Sequence, residues 1–184
     1  MKKILNLMLL SAVFFLIHIS CELVSDNGDS VQGVKALRLT KDDISGWTEV
    51  SSKGFEEFEA ASLHLIINGD APQYVDKGLV KGFIQHINNA EKRGDLFILD
   101  FGTESNAAAM YNYMNDQNNY KAKAGNYDMN TAQLNTSAAD GVTAYSHFGR
   151  YYIEIRLKDF PNVLESHQTA ESLIEVFQYK ISDL

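Results

Sequence analysis

Cysteine is almost absent from this chain. Cys21 is the only one among 184 residues, so no disulfide can form within the chain and the fold must stand on its core alone. Positive charge is scarce too: 16 Lys and Arg face 24 Asp and Glu, a net charge of −8 that argues against nucleic acid and against an anionic membrane surface as partners. Beyond residue 20 no stretch approaches the ~20 apolar residues of a membrane span. The sequence also holds no Gly-x-Ser-x-Gly elbow, no second thiol and no glycine-rich phosphate loop, since Gly141 and Gly149 stand alone as turn residues. His64, His86, His147 and His167 form no pair at metal-ligand spacing, and Asp26, Asn27 and Asp29 lack the correctly placed glycine and glutamate of a calcium loop. No catalytic residue, metal or cofactor is assigned on this basis, and the histidines read as structural or surface residues.

What is present begins at the N-terminus. Lys2 and Lys3 precede an apolar run from Ile4 to Ile17, broken only by Asn6 and Ser11, which ends in His18-Ile19-Ser20-Cys21. So short a run, with basic residues only before it and a small residue at its end, is a secretory signal rather than a span. The ending resembles the bacterial lipobox, in which leucine, small residues and cysteine mark the cut; His18 stands where leucine is usual. The resemblance implies cleavage before Cys21 and acylation of Cys21 as the lipid attachment site. The alternative, an uncut anchor helix, leaves Cys21 a spectator. Each buried acyl methylene contributes about 0.8 kcal/mol, so two or three chains hold a domain firmly to a bilayer. Removing Lys2 and Lys3 with the signal leaves 14 basic against 24 acidic side chains in the mature protein. The expected plan is a signal peptide over 1–20, the acylated cysteine and a flexible tether over 21–33, and a single domain over 34–184. Its polar, turn-forming composition marks Glu22–Gly33 as the tether.

Within the domain, Val34–Leu39 alternates weakly and reads as a first strand. Trp47, the sole tryptophan, reads as a core or rim anchor. Phe55 and Phe58, three apart, favour a helical turn over 54–61. Leu79–Asn88 and Asp95–Gly102 read as antiparallel strands joined by a turn over 89–94. Ala107, Met110, Tyr111 and Met114 share one face of a helix over 103–114, with Thr103 or Ser105 as its cap. Residues 116–139 read as a long excursion with a short strand near Gln133 and Leu134. Val142–Phe148 and Tyr151–Leu157 form a hairpin around Gly149-Arg150. The last strand should pack Tyr151, Ile153, Ile155 and Leu157 on the core and show Tyr152, Glu154 and Arg156 to water. Val163, His167, Ala170, Ile174, Phe177 and Ile181 then mark an amphipathic helix opened by Pro161. The fold class is α+β: an antiparallel sheet of five to six strands with two principal helices.

Residues 63–78 organise the rest. Leu63-His64-Leu65-Ile66-Ile67 reads as a strand, Asn68-Gly69 as a tight turn, Asp70 as a cap, Pro72 as a first-turn residue of a short helix and Gly78 as its stop. With Trp47, Leu65, Ile67-Asn68-Gly69, Ala71, Tyr74, Gly78, a strand over 95–101 and Ala107, the chain resembles a family of uncharacterised secreted bacterial proteins and lipoproteins classed as a domain of unknown function. The resemblance covers most of 40–160 and implies no established activity. This chain departs from it at Ala108-Ala109-Met110, where a glycine and a large aromatic are expected. A looser similarity, to the sandwich of the PsbP-like lipoproteins, implies a binding or accessory role.

Two functional classes follow. The first is a lipid-anchored envelope protein that binds an envelope protein or small ligand without catalysis, its aromatic groove formed by Trp47, Asn68, Asp70, Tyr74, Tyr111, Tyr145 and Tyr152. The second is an envelope hydrolase with a site near Asn68, Asp70 and Tyr74. In either case the expected location is the cell envelope, anchored to the inner or outer membrane with the domain in the periplasm.

Overall fold

The structure is a computed structural model that describes residues 30–67, 69–118, 132–135 and 141–184. The signal, Cys21, Asn68 and most of the 116–139 excursion lie outside these residues. Among the described residues, seven strands form one antiparallel sheet: β1 (Thr48–Glu49), β2 (Phe55–Glu59), β3 (Lys81–Asn89), β4 (Lys92–Asp100), β5 (Ala132–Asn135), β6 (Val142–Phe148) and β7 (Tyr151–Lys158). β1 and β2 follow one another along the same edge of β3, so the sheet is six strands wide in the order β1/β2, β3, β4, β7, β6, β5. Four α-helices accompany it, α1 (Ser30–Ala36), α2 (Ala71–Val75), α3 (Glu104–Asn118) and α4 (Val163–Ser182), with a 3-10 helix at Ala60–Leu65. The α+β expectation holds.

Both faces of the sheet are covered. On one, Phe83, Leu96, Ile98, Ile153 and Ile155 meet Val34 and Leu37 at α1 and Ala170, Leu173, Ile174 and Phe177 of α4. Trp47 belongs to this core and stacks on Phe160 with ring centroids 6.1 Å apart. The α4 pattern is as the sequence predicts, and full burial of each large apolar side chain contributes about 1.5–3 kcal/mol. Pro161 sits just ahead of the helix rather than in its first turn; Asn162 is the cap, its side-chain oxygen accepting from the Glu165 N–H at 2.9 Å. On the opposite face, Ile84, Leu99 and Tyr152 meet Leu63, Tyr74 and the Ala107, Met110 and Tyr111 face of α3. Thr103 caps α3 as expected, its hydroxyl accepting from the Asn106 N–H.

Four expectations are corrected. Residues 34–36 end a helix rather than starting a strand, and that helix begins at Ser30, inside the stretch read as tether. Phe55 and Phe58 lie on a strand: an edge strand with one aromatic for each core, Phe55 against Phe83 and Phe58 in the opposite cluster, produces the same three-residue spacing as a helical turn. The apolar run Leu63–Ile67 is not a strand, because β2 already occupies the free edge of β3. The run folds instead as a 3-10 turn over the sheet, burying Leu63 and leaving Leu65 75% exposed. Finally, β7 does not turn its charged face to water. Tyr152 and Glu154 are 0% and 1% exposed, because helices pack on that side too.

Candidate functional site

Register builds the site. In an antiparallel sheet, directly opposed residues carry their side chains on the same face. His86 of β3 opposes Asp95 of β4, which opposes Arg156 of β7, giving an ionisable row across three strands. The next row runs Glu56, Ile84, Phe97, Glu154 and Tyr145, and the one after it Phe58, Gly82, Leu99, Tyr152 and His147. α3 covers the last of these. The first two open into a groove of about 460 Å³ walled by Leu65, Ile66, Ile67, Asp70 and Tyr74 and floored by Ile84, His86, Asp95, Phe97 and Arg156.

The segment read as the organiser of the chain supplies that wall. Pro72 lies in the first turn of α2, as predicted, and Gly78 takes φ +87°, the left-handed stop that a non-glycine residue adopts only under strain. Asp70 does precede α2, but its side chain makes no capping bond. It faces the groove instead.

Arg156 is fixed from two sides. Its Nε donates to Glu154 Oε1 at 2.6 Å, and its guanidinium carbon lies 4.5 Å from the Phe97 ring centroid. The terminal nitrogens have no partner among the described residues, and the side chain is 42% exposed. Burial opposes the charge on Arg156, but the adjacent Glu154 carboxylate and its hydrogen bond outweigh that and raise the arginine pKa. The hydroxyl of Tyr74 donates to Glu154 Oε2 at 3.3 Å. Burial first, and then the Glu154 charge, push the phenol of Tyr74 far above its ordinary value. Tyr152 is held high for the same two reasons, and its hydroxyl has no hydrogen-bond partner among the described residues.

The other half of the row is equally ordered. His86 Nδ1 and Asp95 Oδ1 are 2.7 Å apart, and Lys158 donates to Asp95 Oδ2 at 3.1 Å. Burial pushes the Asp95 carboxyl up, but the bonds from His86 and Lys158 prevail and leave it below the usual range. Among the described residues, no group of three potential ligands stands close enough to hold a metal.

The predicted aromatic groove is thus redistributed. Asp70 and Tyr74 line the groove. Tyr111, Tyr145 and Tyr152 gather in the same core but are 3%, 5% and 0% exposed, beneath the surface rather than rimming it. Trp47 is on the opposite face, and Asn68 lies outside the described residues. Glu154, Arg156, His86 and Asp95 were missed as a set. The available signal was an opposite-charge pair two apart in a strand, sharing a face with Tyr152.

No protein-family model and no curated protein matches the chain in sequence. Among solved structures, the extracellular domain of PknH from Mycobacterium tuberculosis is similar, with a TM-score of 0.51 and 12% identity over 80% of this chain and 96% of that one. At that identity the likeness is one of fold, and it extends over nearly the whole of the PknH domain.

Proposed function

We propose that this chain is a lipid-anchored bacterial cell-envelope protein, a relative of the uncharacterised secreted family it resembles, whose domain binds a ligand without catalysis. The location rests on the signal and on Cys21 directly after it. In keeping with it, no helix among the described residues is long and apolar enough to cross a membrane, and the similar PknH structure is of an extracellular domain. The binding role rests on Arg156, which is stacked on Phe97, bonded from behind by a buried carboxylate, and presents terminal nitrogens with no partner among the described residues to an open groove. Side chains fixed in advance lose little entropy when a ligand arrives.

The test of the anchor is fractionation of the native host. Wild type is expected in the membrane pellet after a high-salt wash. Cys21→Ser is expected to lose the acylated form, and a Cys21→Ser protein that is still acylated would refute the reading.

A second reading, the envelope hydrolase, is favoured by the His86–Asp95 contact, since a carboxylate that accepts a hydrogen bond from Nδ1–H fixes the tautomer that leaves the Nε2 lone pair to act as a base. The Tyr74 hydroxyl near it is committed to Glu154. Hydrolysis would have to use water, with His86→Ala abolishing turnover while binding persists. A bound ligand recovered chemically unchanged supports the non-catalytic role.

A further inference from the structure

We infer that the groove takes a short peptide of three to four residues with both termini free, its C-terminal carboxylate on Arg156 and its N-terminal ammonium toward Glu56. The inference rests on the binding role proposed above and adds the class of ligand.

The charges of the groove are segregated. Two acids have their hydrogen-bonding capacity taken up, Asp95 by His86 and Lys158, and Glu154 by the Nε edge of Arg156 and the Tyr74 hydroxyl. What remains among the described residues is the outer edge of the Arg156 guanidinium at β7 and the exposed carboxylate of Glu56 at β2, with Asp70 on the wall. Neither Glu56 nor Asp70 has a side-chain partner among the described residues. A simple anion would meet Arg156 but also two uncompensated acids, whereas a simple cation would meet the reverse. A zwitterion answers both ends.

Length follows from the sheet. Glu56 and Arg156 stand three inter-strand steps and two residues apart, roughly 16 Å between backbone positions at ~4.8 Å per step and ~3.3 Å per residue, but the guanidinium leans over Phe97, which lies in the Glu56 row only two steps, or roughly 10 Å, away. An extended peptide advances ~3.3 Å per residue, so three or four residues reach across. Between the ends, Leu65, Ile66 and Ile67 face Phe97 and provide apolar surface for the peptide's side chains. The planar fork of an arginine suits a carboxylate's two oxygens.

The experiment is isothermal titration of the full acylated chain in detergent with Ala-Leu-Leu, its C-terminal amide, its N-acetyl form and 4-methylpentanoate. Three proteins are compared: wild type, Arg156→Lys, which keeps a cation beside Glu154, and Glu56→Gln, at an exposed position. Amidation and acetylation are each expected to weaken binding by about 10- to 100-fold, as loss of a charge-assisted contact does. Arg156→Lys should weaken the acid but not the amide, and Glu56→Gln the free amine but not the acetylated peptide. Losses under about threefold, or losses that do not track these two residues, overturn the proposal. If 4-methylpentanoate binds as well as the peptide and depends on Arg156, the peptide class falls while the binding role stands. If no probe binds wild type, the peptide class and the Arg156 site both fall, and the envelope location is judged separately by fractionation.

Discussion

Replacing Arg156 with alanine should cost far more than the loss of a surface ion pair. The Glu154 side chain is 2% exposed and its carboxylate accepts from Arg156 Nε and the Tyr74 hydroxyl. Without the arginine a buried negative charge keeps one phenol donor. Breaking a buried pair from one side costs about 3–5 kcal/mol. Arg156 is itself 42% exposed, so its truncation admits some water, and the lower end, about 3 kcal/mol, applies. For a chain of this size that is a fall in Tm of about 6–12 °C. Glu154→Gln should cost about 1 kcal/mol, because the amide oxygen still accepts from Arg156. The double variant, Arg156→Ala with Glu154→Gln, should recover more than half of the Arg156→Ala loss, since no buried charge remains. Urea denaturation followed by Trp47 fluorescence reads all three, because the sole tryptophan is 5% exposed in the core. An Arg156→Ala cost below about 1 kcal/mol, or a double variant no more stable than Arg156→Ala, would refute the reasoning.

Other perturbations probe the scaffold and the row beside Arg156. Phe177→Ala, at a fully buried position between α4 and the sheet, should lose about 3–5 kcal/mol by the same denaturation assay. Asn162→Ala removes the α4 cap and should cost about 1 kcal/mol, with helix α4 fraying first in hydrogen exchange. Asp95→Asn tests linkage. A carboxyl held below its unfolded value near ~3.9 adds stability that is present above that value and lost as pH falls through the folded one. The gap between wild type and Asp95→Asn should therefore close as pH falls below about 4, and a gap that persists undiminished well below that value would contradict the His86 and Lys158 contacts.

The elements legible in the sequence were those whose pattern is set by one local period. α4 could be read because its apolar spacing answers to a single packing surface, and the β6–β7 hairpin and the strands around 81–100 because runs of strand-forming residues are bounded by local turn residues. Leu63–Ile67 could not, since its conformation depends on whether the edge of β3 is free, and the pairing of β2 with β3 decides that. Phe55 and Phe58 misled for a related reason: an edge strand that sends one aromatic to each face of the sheet mimics helical spacing. Part of the site was visible, because Asp70 and Tyr74 belong to a turn and short helix with local signatures. The Glu154–Arg156 pair was read as solvent-facing because alternation within β7 says which residues share a face but not whether a helix covers it. His86, Asp95 and Arg156 come together only through the register of three strands, which no local spacing encodes.

The claim that carries the proposed location is attachment through Cys21. Intact mass spectrometry of the protein extracted from native-host membranes, with and without inhibition of the lipoprotein signal peptidase, addresses it directly. The account predicts a mass equal to residues 21–184 plus acyl chains, replaced by uncut precursor under inhibition. An unacylated mass, or one beginning at another residue, would contradict it.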